Sequence, residues 1–200
     1  MAAVACGGRY SLSAIHRLTR PGTPLPPSLF HTVPKRMVGT VLYPLNELED
    51  VDPETWRQER QKYAGRERVL EKRVPPLNCF WNDVLHLSPV DPVDIIAALG
   101  AVGIEPLRRR FFEIDPFDLD SNRTVIFVDR RANISSSLDG SQWLPFQPAA
   151  LTEFSAFNEA SRQYYRECAQ AGRRPLLWGY LPHVLYRGRL DTRTFRIVEL

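Results

Sequence analysis

Apolar and polar residues follow one another along this 200-residue chain in short blocks that predict strands and helices in an irregular order. Blocks rich in β-branched and aromatic residues, bounded by Gly or Pro, favour strands. The predicted strands cover residues 37–45, 77–87, 108–114 and 124–128 and two short stretches within residues 176–200, with residues 77–87 forming either one strand or two strands joined by a bend. Residues 108–114 have the pattern of an edge or exposed strand, whereas the unbroken apolar run 124–128 is typical of a central strand. The Asp139-Gly140 dipeptide between two apolar stretches predicts a hairpin.

Three segments carry helix signals. Asp52 and Asp91 each precede a proline, which places a capping carboxylate ahead of a residue suited to the first helical position. The third segment has an apolar stripe and a glycine, Gly172, at its end. The predicted helices cover residues 53–73, 92–102 and 148–171. The first has only a thin apolar stripe, which indicates a helix that lies on the surface.

Helices and strands do not alternate regularly, which favours an α+β fold over a doubly wound one. The predicted fold is a single domain with a mixed or largely antiparallel sheet and about three helices, preceded by an unstructured leader. Residues 21–34 contain five prolines and predict an extended linker. The predicted division is a leader and linker over residues 1–36 and one α+β domain over residues 37–200.

The first 46 residues contain no Asp or Glu, although they carry five of the 26 basic residues. Arg9, Arg17 and Arg20 fall on one face of a helix, and Leu12 and Leu18 fall on another. A basic, amphipathic, acid-poor segment is typical of a transit peptide, and it lacks the apolar core of a secretory signal. We therefore expect a mitochondrial matrix location. The alternatives are a disordered N-terminal segment that is not a transit peptide and an arm that binds a surface.

No apolar run reaches the ~18 residues that a membrane-spanning helix needs, so no membrane span is expected. Three widely spaced cysteines imply no disulfide framework and fit a reducing compartment. Phosphate-binding loops, dinucleotide fingerprints, zinc motifs and the nucleophile elbow are absent from the sequence. The sequence thus assigns no catalytic residue, no cofactor and no metal ligands.

Arginine dominates the basic residues, with 23 Arg against 3 Lys, and residues 161–200 hold eight Arg against three acidic side chains. Interleaved aromatic residues would give this segment stacking faces beside forked phosphate donors. The candidate binding face comprises Arg173, Arg174, Tyr186, Arg187, Arg189, Arg193 and Arg196. This pattern fits three roles: ion pairing within the fold, binding of an acidic protein partner and binding of RNA. Without the leader the chain is slightly acidic, which weakens the nucleic-acid interpretation.

Two weaker patterns would fit an enzyme. Four carboxylates, Glu113, Asp115, Asp118 and Asp120, lie within eight residues but lack the spacing of a calcium loop. Two cysteines and two histidines, Cys79, Cys168, His86 and His183, would form a nucleophile and base pair only if the fold joined them. The leading hypothesis is a mitochondrial matrix protein that acts by binding a protein partner, as an assembly, ribosome-associated or regulatory factor. The alternatives are an enzyme of unfamiliar type and an RNA-binding protein.

Overall fold

The computed structural model describes residues 26–129 and 142–200 and confirms an α+β fold with antiparallel sheets. Four α-helices lie in these residues, one more than predicted. They are α1 (Leu45–Val51), α2 (Pro53–Gln61), α3 (Pro92–Ala101) and α4 (Glu159–Gln170). The predicted turn at Asp139-Gly140 lies outside the described residues.

Two sheets form the body of the fold, and every strand pair in them is antiparallel. The first sheet has the order β1 (Leu29–Thr32), β6 (Arg110–Ile114) and β11 (Arg196–Glu199). The second has the order β5 (Leu85–Leu87), β9 (His183–Tyr186), β7 (Thr124–Phe127) and β8 (Trp143–Pro145). Two short pairs join β2 (Val41–Leu42) to β10 (Leu190–Asp191) and β3 (Arg73–Val74) to β4 (Cys79–Phe80).

A backbone bridge between Phe30 and Ser88 connects the two sheets. The amide of Phe30 donates to the carbonyl of Ser88 at 2.8 Å, and the amide of Ser88 donates back to Phe30 at 2.9 Å. Strand β1 of the first sheet therefore lies beside β5 of the second. The two sheets share one large apolar core, which contains Leu29, Leu87 and Ile126 among its fully buried side chains.

The strand register places a set of large polar and aromatic residues on one face of the second sheet. His183 lies directly opposite Phe127, Phe127 lies opposite Trp143, and His86 lies opposite Leu185. Residues directly opposite each other in an antiparallel pair project to the same face. Both histidines consequently share the face of Phe127, away from the core that Ile126 and Val184 help to form.

The sequence predicts that the folded domain begins at residue 37. This boundary is wrong, because β1 lies before it and belongs to the fold. Leu29 is fully buried, and β1 pairs along its whole length with β6. The prolines that predicted a linker stand at 21, 24, 26, 27 and 34 and leave residues 28–33 free of them. This gap allows a four-residue strand, since each residue in it retains its amide donor.

Other predictions are wrong about where helices and strands begin or end. The first predicted helix stops at Gln61, where a turn leads to Gly65 at φ +75°. The helix predicted over residues 148–171 splits into a 3₁₀ segment, Pro148–Phe154, and α4, because the side chain of Asn158 accepts from the Ser161 amide and starts a new helix. The strand predicted over residues 37–45 shrinks to β2.

Long-range pairing changes two strand predictions. The sequence predicts an edge or exposed strand here, but β6 lies between β1 and β11, which come from opposite ends of the described chain, and its Phe111 and Phe112 are buried. The tail contains three short strands rather than two. Strand β7 is central, as predicted. None of the helices in the described ranges has the length and apolar character to cross a membrane.

Replacing Leu29 by Ala tests whether β1 belongs to the folded domain. We expect the free energy of unfolding to fall by about 2–5 kcal/mol, because the change leaves a cavity in the shared core. The matched control is Leu107→Ala, since Leu107 is 53% exposed; there we expect a change within about 0.5 kcal/mol. Chemical denaturation of both variants measures the difference, and equal stabilities would show that β1 contributes nothing to the fold.

Candidate functional site

Most of the arginines in the predicted binding face already have partners within the molecule. Arg189 pairs with Glu47 of α1 and lies over the Tyr43 ring, and Arg193 pairs with Asp191 at 2.6 Å. Arg196 pairs with Glu113 at 2.9 Å. Arg187 donates to the carbonyl of Leu77 at 2.9 Å. The carboxylate partners of Arg189, Arg193 and Arg196 support the ion-pairing interpretation for these three residues, whereas Arg187 is held by a backbone carbonyl.

Tyr186 does not supply an exposed stacking face, so that part of the prediction is wrong. The residue is 7% exposed and belongs to the core that the two sheets share. Its place in β9 explains the difference, because it projects from the same face as Val184. The guanidinium of Arg123 lies 5.7 Å from the Tyr186 ring centroid.

Arg173 and Arg174 lie at the end of α4 and meet a second basic segment. Both terminal nitrogens of Arg174 donate to the carbonyl of Glu105, which brings residues 173–174 against the segment that leads into β6. That segment contains three consecutive arginines, residues 108–110. In the described residues none of these five side chains has a carboxylate within salt-bridge distance. Two half-exposed leucines, Leu107 and Leu176, lie in the same two segments. We call these seven residues the arginine surface.

The four carboxylates between residues 113 and 120 do not act together. Glu113 accepts from Ser28 and pairs with Arg196. Asp115 and Asp120 each cap a short 3₁₀ turn by accepting a backbone amide, at 3.0 and 2.9 Å. Local turn formation therefore explains two of them. The parts of the chain that the structure describes contain no group of three His, Cys, Asp or Glu side chains able to hold a metal ion.

The cysteines and histidines of the second enzyme hypothesis separate into different environments. Burial raises the pKa of the Cys79 thiol. Cys168 belongs to α4 and lies on the buried face of that helix. No hydrogen bond joins either thiol to an imidazole in the described residues. His86 and His183 instead approach each other, with their ring centroids 6.0 Å apart.

These two histidines belong to a larger aromatic cluster that the sequence did not indicate. Trp178 lies between His31 and His183, at 6.3 and 6.4 Å between ring centroids. Trp81 lies 4.6 Å from His86 and 5.3 Å from Phe127. Strands β1, β5, β7 and β9, the turn between β4 and β5, and the loop before β9 contribute these rings. We call the site formed by His31, Trp81, His86, Phe127, Trp178 and His183 the histidine–tryptophan cluster.

The three imidazoles are strongly desolvated and neutral at physiological pH. Burial lowers the pKa of His31 and of His86 to about 4. Burial, together with the nearby His86 and Lys72, lowers the pKa of His183 to about 3. The three histidine residues as a whole are partly buried, and Nδ1 of His31 and of His183 is sealed from solvent.

Hydrogen bonds fix one imidazole and leave others incomplete. His86 places Nε2 2.9 Å from the carbonyl of Trp81, so that nitrogen carries the proton and Nδ1 is an acceptor. The Nδ1 atoms of His31 and His183 and the Nε1 atom of Trp178 are buried and have no partner. A buried polar atom without a partner costs about 1–3 kcal/mol. Three such atoms in one cluster therefore oppose the stability of the fold.

Helix α4 holds the loop that carries Trp178. Its side chains bind the loop backbone: Asn158 donates to the Tyr180 carbonyl at 2.9 Å, and Ser161 donates to the Gly179 carbonyl at 2.8 Å. The loop passes so close to Tyr164 that a β-carbon on Gly179 would collide with that ring. Tyr180 adopts φ +61°, a strained value for a residue with a side chain. The position of Trp178 is thus built into the fold.

A lysine lies at one side of the histidine–tryptophan cluster. The Lys72 ammonium is 3.7 Å from the Phe127 ring centroid and 4.1 Å from that of Trp81, and Trp143 lies 5.8 Å away. Three aromatic faces around one ammonium give a favourable cation–π arrangement. The ammonium therefore brings positive charge next to the neutral imidazoles, which agrees with its effect on the pKa of His86 and of His183.

No protein-family model, curated protein or solved structure matches this chain. The chemistry of the site therefore follows from its own residues. Of the cluster residues, the sequence singled out His86 and His183 only as partners for cysteines. A single histidine inside an apolar strand, as in Leu85–Leu87, is the one sequence signal that points to a buried imidazole. Nothing in the sequence brings His31 or Trp178 to them.

Lowering the pH should destabilise the fold through the three imidazoles. Their folded-state pKa values lie below the unfolded value of about 6.5, so the unfolded chain binds more protons as the pH falls. The resulting stability is complete above pH 6.5 and is lost as the pH falls toward 4. At pH 5 the loss is about 2 kcal/mol for each histidine relative to pH 7.5. Urea denaturation across this range measures it.

His183→Gln provides the comparison for this pH dependence. The change in unfolding free energy between pH 7.5 and 5 should be about 2 kcal/mol smaller in this variant than in the unmodified protein. The carboxyl groups whose pKa is lowered, those of Asp52, Glu67 and Asp191, titrate below this window. A flat stability profile in the unmodified protein, or an unchanged slope in the variant, would contradict the buried neutral state.

Proposed function

We propose that the protein acts by binding an acidic protein partner through the arginine surface, in the mitochondrial matrix. One observation carries the proposal: five arginines lie in two chain segments that the hydrogen bonds from Arg174 to the carbonyl of Glu105 bring together, and none of the five has a carboxylate within salt-bridge distance in the described residues. Arg189, Arg193 and Arg196 are neutralised within the molecule, which makes them weaker candidates.

The composition of the arginine surface favours a protein over RNA. Leu107 and Leu176 are 53% and 52% exposed, and they would pack against apolar side chains of a partner. The seven residues include no aromatic side chain on which a base would stack, and base stacking is the usual means of holding single-stranded RNA. A partner segment that combines acidic and apolar side chains would complement both the charge of the arginines and the apolar surface of the two leucines.

Removing two unpaired arginines should weaken partner binding. The test variant is Arg108→Gln with Arg173→Gln, because both side chains are exposed and neither has a partner in the described residues. The control is Arg189→Gln with Arg193→Gln, which changes the net charge equally but removes arginines that already have carboxylate partners. In quantitative affinity purification from mitochondria, we expect at least about tenfold less partner for the test variant.

The other outcomes of this purification would point to a different interface or a different ligand. Equal recovery with both double variants would remove the arginine surface as the interface. A larger loss with the control variant would return the interface to the predicted face at Arg189 and Arg193. A partner that disappears after ribonuclease digestion would identify RNA as the ligand of the surface.

The location rests on the acid-free leader and has its own test. Deleting residues 1–27 should abolish uptake by energised mitochondria, because the basic, acid-free sequence is removed while β1 stays in the protein. A leader with Arg9, Arg17 and Arg20 replaced by Gln keeps the length and apolar residues, and we expect it to be imported poorly as well. Protease protection measures uptake, and undiminished uptake of the deletion variant would refute the matrix location.

A further inference from the structure

Strand β11 leaves one edge of the first sheet open. The sheet has the order β1, β6 and β11, and the hydrogen bonds between Phe30 and Ser88 attach its β1 edge to the second sheet. In the residues that the structure describes, no strand other than β6 pairs with β11. An unpaired edge presents a row of backbone donors and acceptors to another extended chain. The β11 edge is therefore a place where a strand from outside the molecule can be added.

The register of β11 shows which of its backbone groups face outward. Arg109 and Leu200 exchange two backbone hydrogen bonds, at 2.8 and 2.9 Å. Hydrogen-bonded pairs alternate along an antiparallel ladder, so Val198 is the next residue of β11 to bond β6. The amide and carbonyl groups of Ile197 and Glu199 consequently point away from β6. Within the described residues these groups have no backbone partner.

The side chains of this edge do not prevent pairing. Natural edge strands are often protected by proline, and the outer strand of the second sheet, β8, contains Pro145. Strand β11 contains no proline. Its Ile197 is 44% exposed, and a β-branched side chain is favourable in a paired strand. The β11 edge thus combines free backbone groups with an apolar side chain that a second strand would cover.

Opposite charges lie at the two ends of the β6–β11 pair. One end, at Leu200, carries the arginine surface, because its backbone is bonded to Arg109. At the other end β6 leads into residues 115–120, where Asp118 and Asp120 are exposed. Phe117 in the same segment is 62% exposed, more than any other large apolar side chain in the described residues. We call residues 115–120 the acidic loop.

We propose that two copies of this chain form a two-fold symmetric dimer in which β11 of one copy pairs antiparallel with β11 of the other. The two three-stranded sheets then form one sheet of six strands. Antiparallel pairing places the arginine end of each copy on the same side as the acidic loop of the other, whereas parallel pairing would bring like charges together. The inference rests on the proposed function in one respect, since it names the second copy as an acidic partner of the arginine surface.

The size of the contact predicts a weak dimer. The paired strands have four residues each, and exposed charges contribute little and are screened by salt. In sedimentation equilibrium of the full chain at about 0.1 M salt, we expect a dimer with a Kd between about 1 and 100 µM. At about 0.5 M salt the Kd should be at least about fivefold higher, because the attraction between the charged ends is screened.

Ile197→Pro tests the pairing of the strands. Proline removes an amide that faces away from β6, so the first sheet keeps its own hydrogen bonds while the edge loses a donor. We expect the Kd of the dimer to rise at least about tenfold. Ile197→Thr is the matched control, because it keeps both the amide and a β-branched side chain, and its Kd should stay within about threefold.

Charge reversal tests the orientation without changing the strand. Arg108→Glu and Asp118→Lys should each raise the Kd at least about fivefold, because a two-fold dimer contains each altered contact twice. An equimolar mixture of the two variants should dimerise within about threefold of the unmodified protein. In the mixed dimer the two reversed charges face each other, and the other end has two unmodified partners.

The inference is overturned if the full chain stays monomeric at about 500 µM, if it forms assemblies larger than a dimer, or if Ile197→Pro dimerises as well as Ile197→Thr. It is also overturned if the mixture of charge variants is no tighter than either variant alone. A monomeric chain that loses a mitochondrial partner through Ile197→Pro would assign the edge to another protein. A monomeric chain whose Arg108→Gln and Arg173→Gln variant still loses its partner would overturn this inference and support the proposed function, so the two fail separately.

Discussion

The two hydrogen bonds between Phe30 and Ser88 are the constraint on which the rest of the structure depends. They join a three-stranded sheet to a four-stranded one, so that one core serves both. They also place His31, the residue after Phe30, beside the sheet that carries His86 and His183. The same backbone contact therefore creates the main core and completes the histidine–tryptophan cluster.

Arginine has different roles in different parts of this molecule. Near β10 and β11, arginines pair with carboxylates from α1, β6 and their own turn, and such exposed pairs contribute little to stability. At the end of α4 the arginines have no carboxylate within salt-bridge distance in the described residues, and Arg174 is held by a backbone carbonyl. The uneven distribution, rather than the number of arginines, distinguishes a surface suited to an acidic partner.

The histidine–tryptophan cluster combines features that oppose stability. Three imidazoles are desolvated, three polar atoms have no partner and Tyr180 holds a left-handed backbone conformation. The surrounding core and the hydrogen bonds from α4 maintain this arrangement. Unfavourable local features that a fold maintains are often associated with ligand binding or catalysis. Because the imidazoles are weak bases, they are poorly suited to proton transfer at neutral pH.

The sequence by itself determined the local features of this protein: the α+β class, the caps at Asp52 and Asp91 and the central strand β7. Each of these depends on residues close together in the chain. Only the tertiary structure decided that β1 joins the fold, that Tyr186 is buried and that His31, His183 and Trp178 meet. These outcomes depend on antiparallel register between distant segments, and a register is set by the whole core rather than by neighbouring residues.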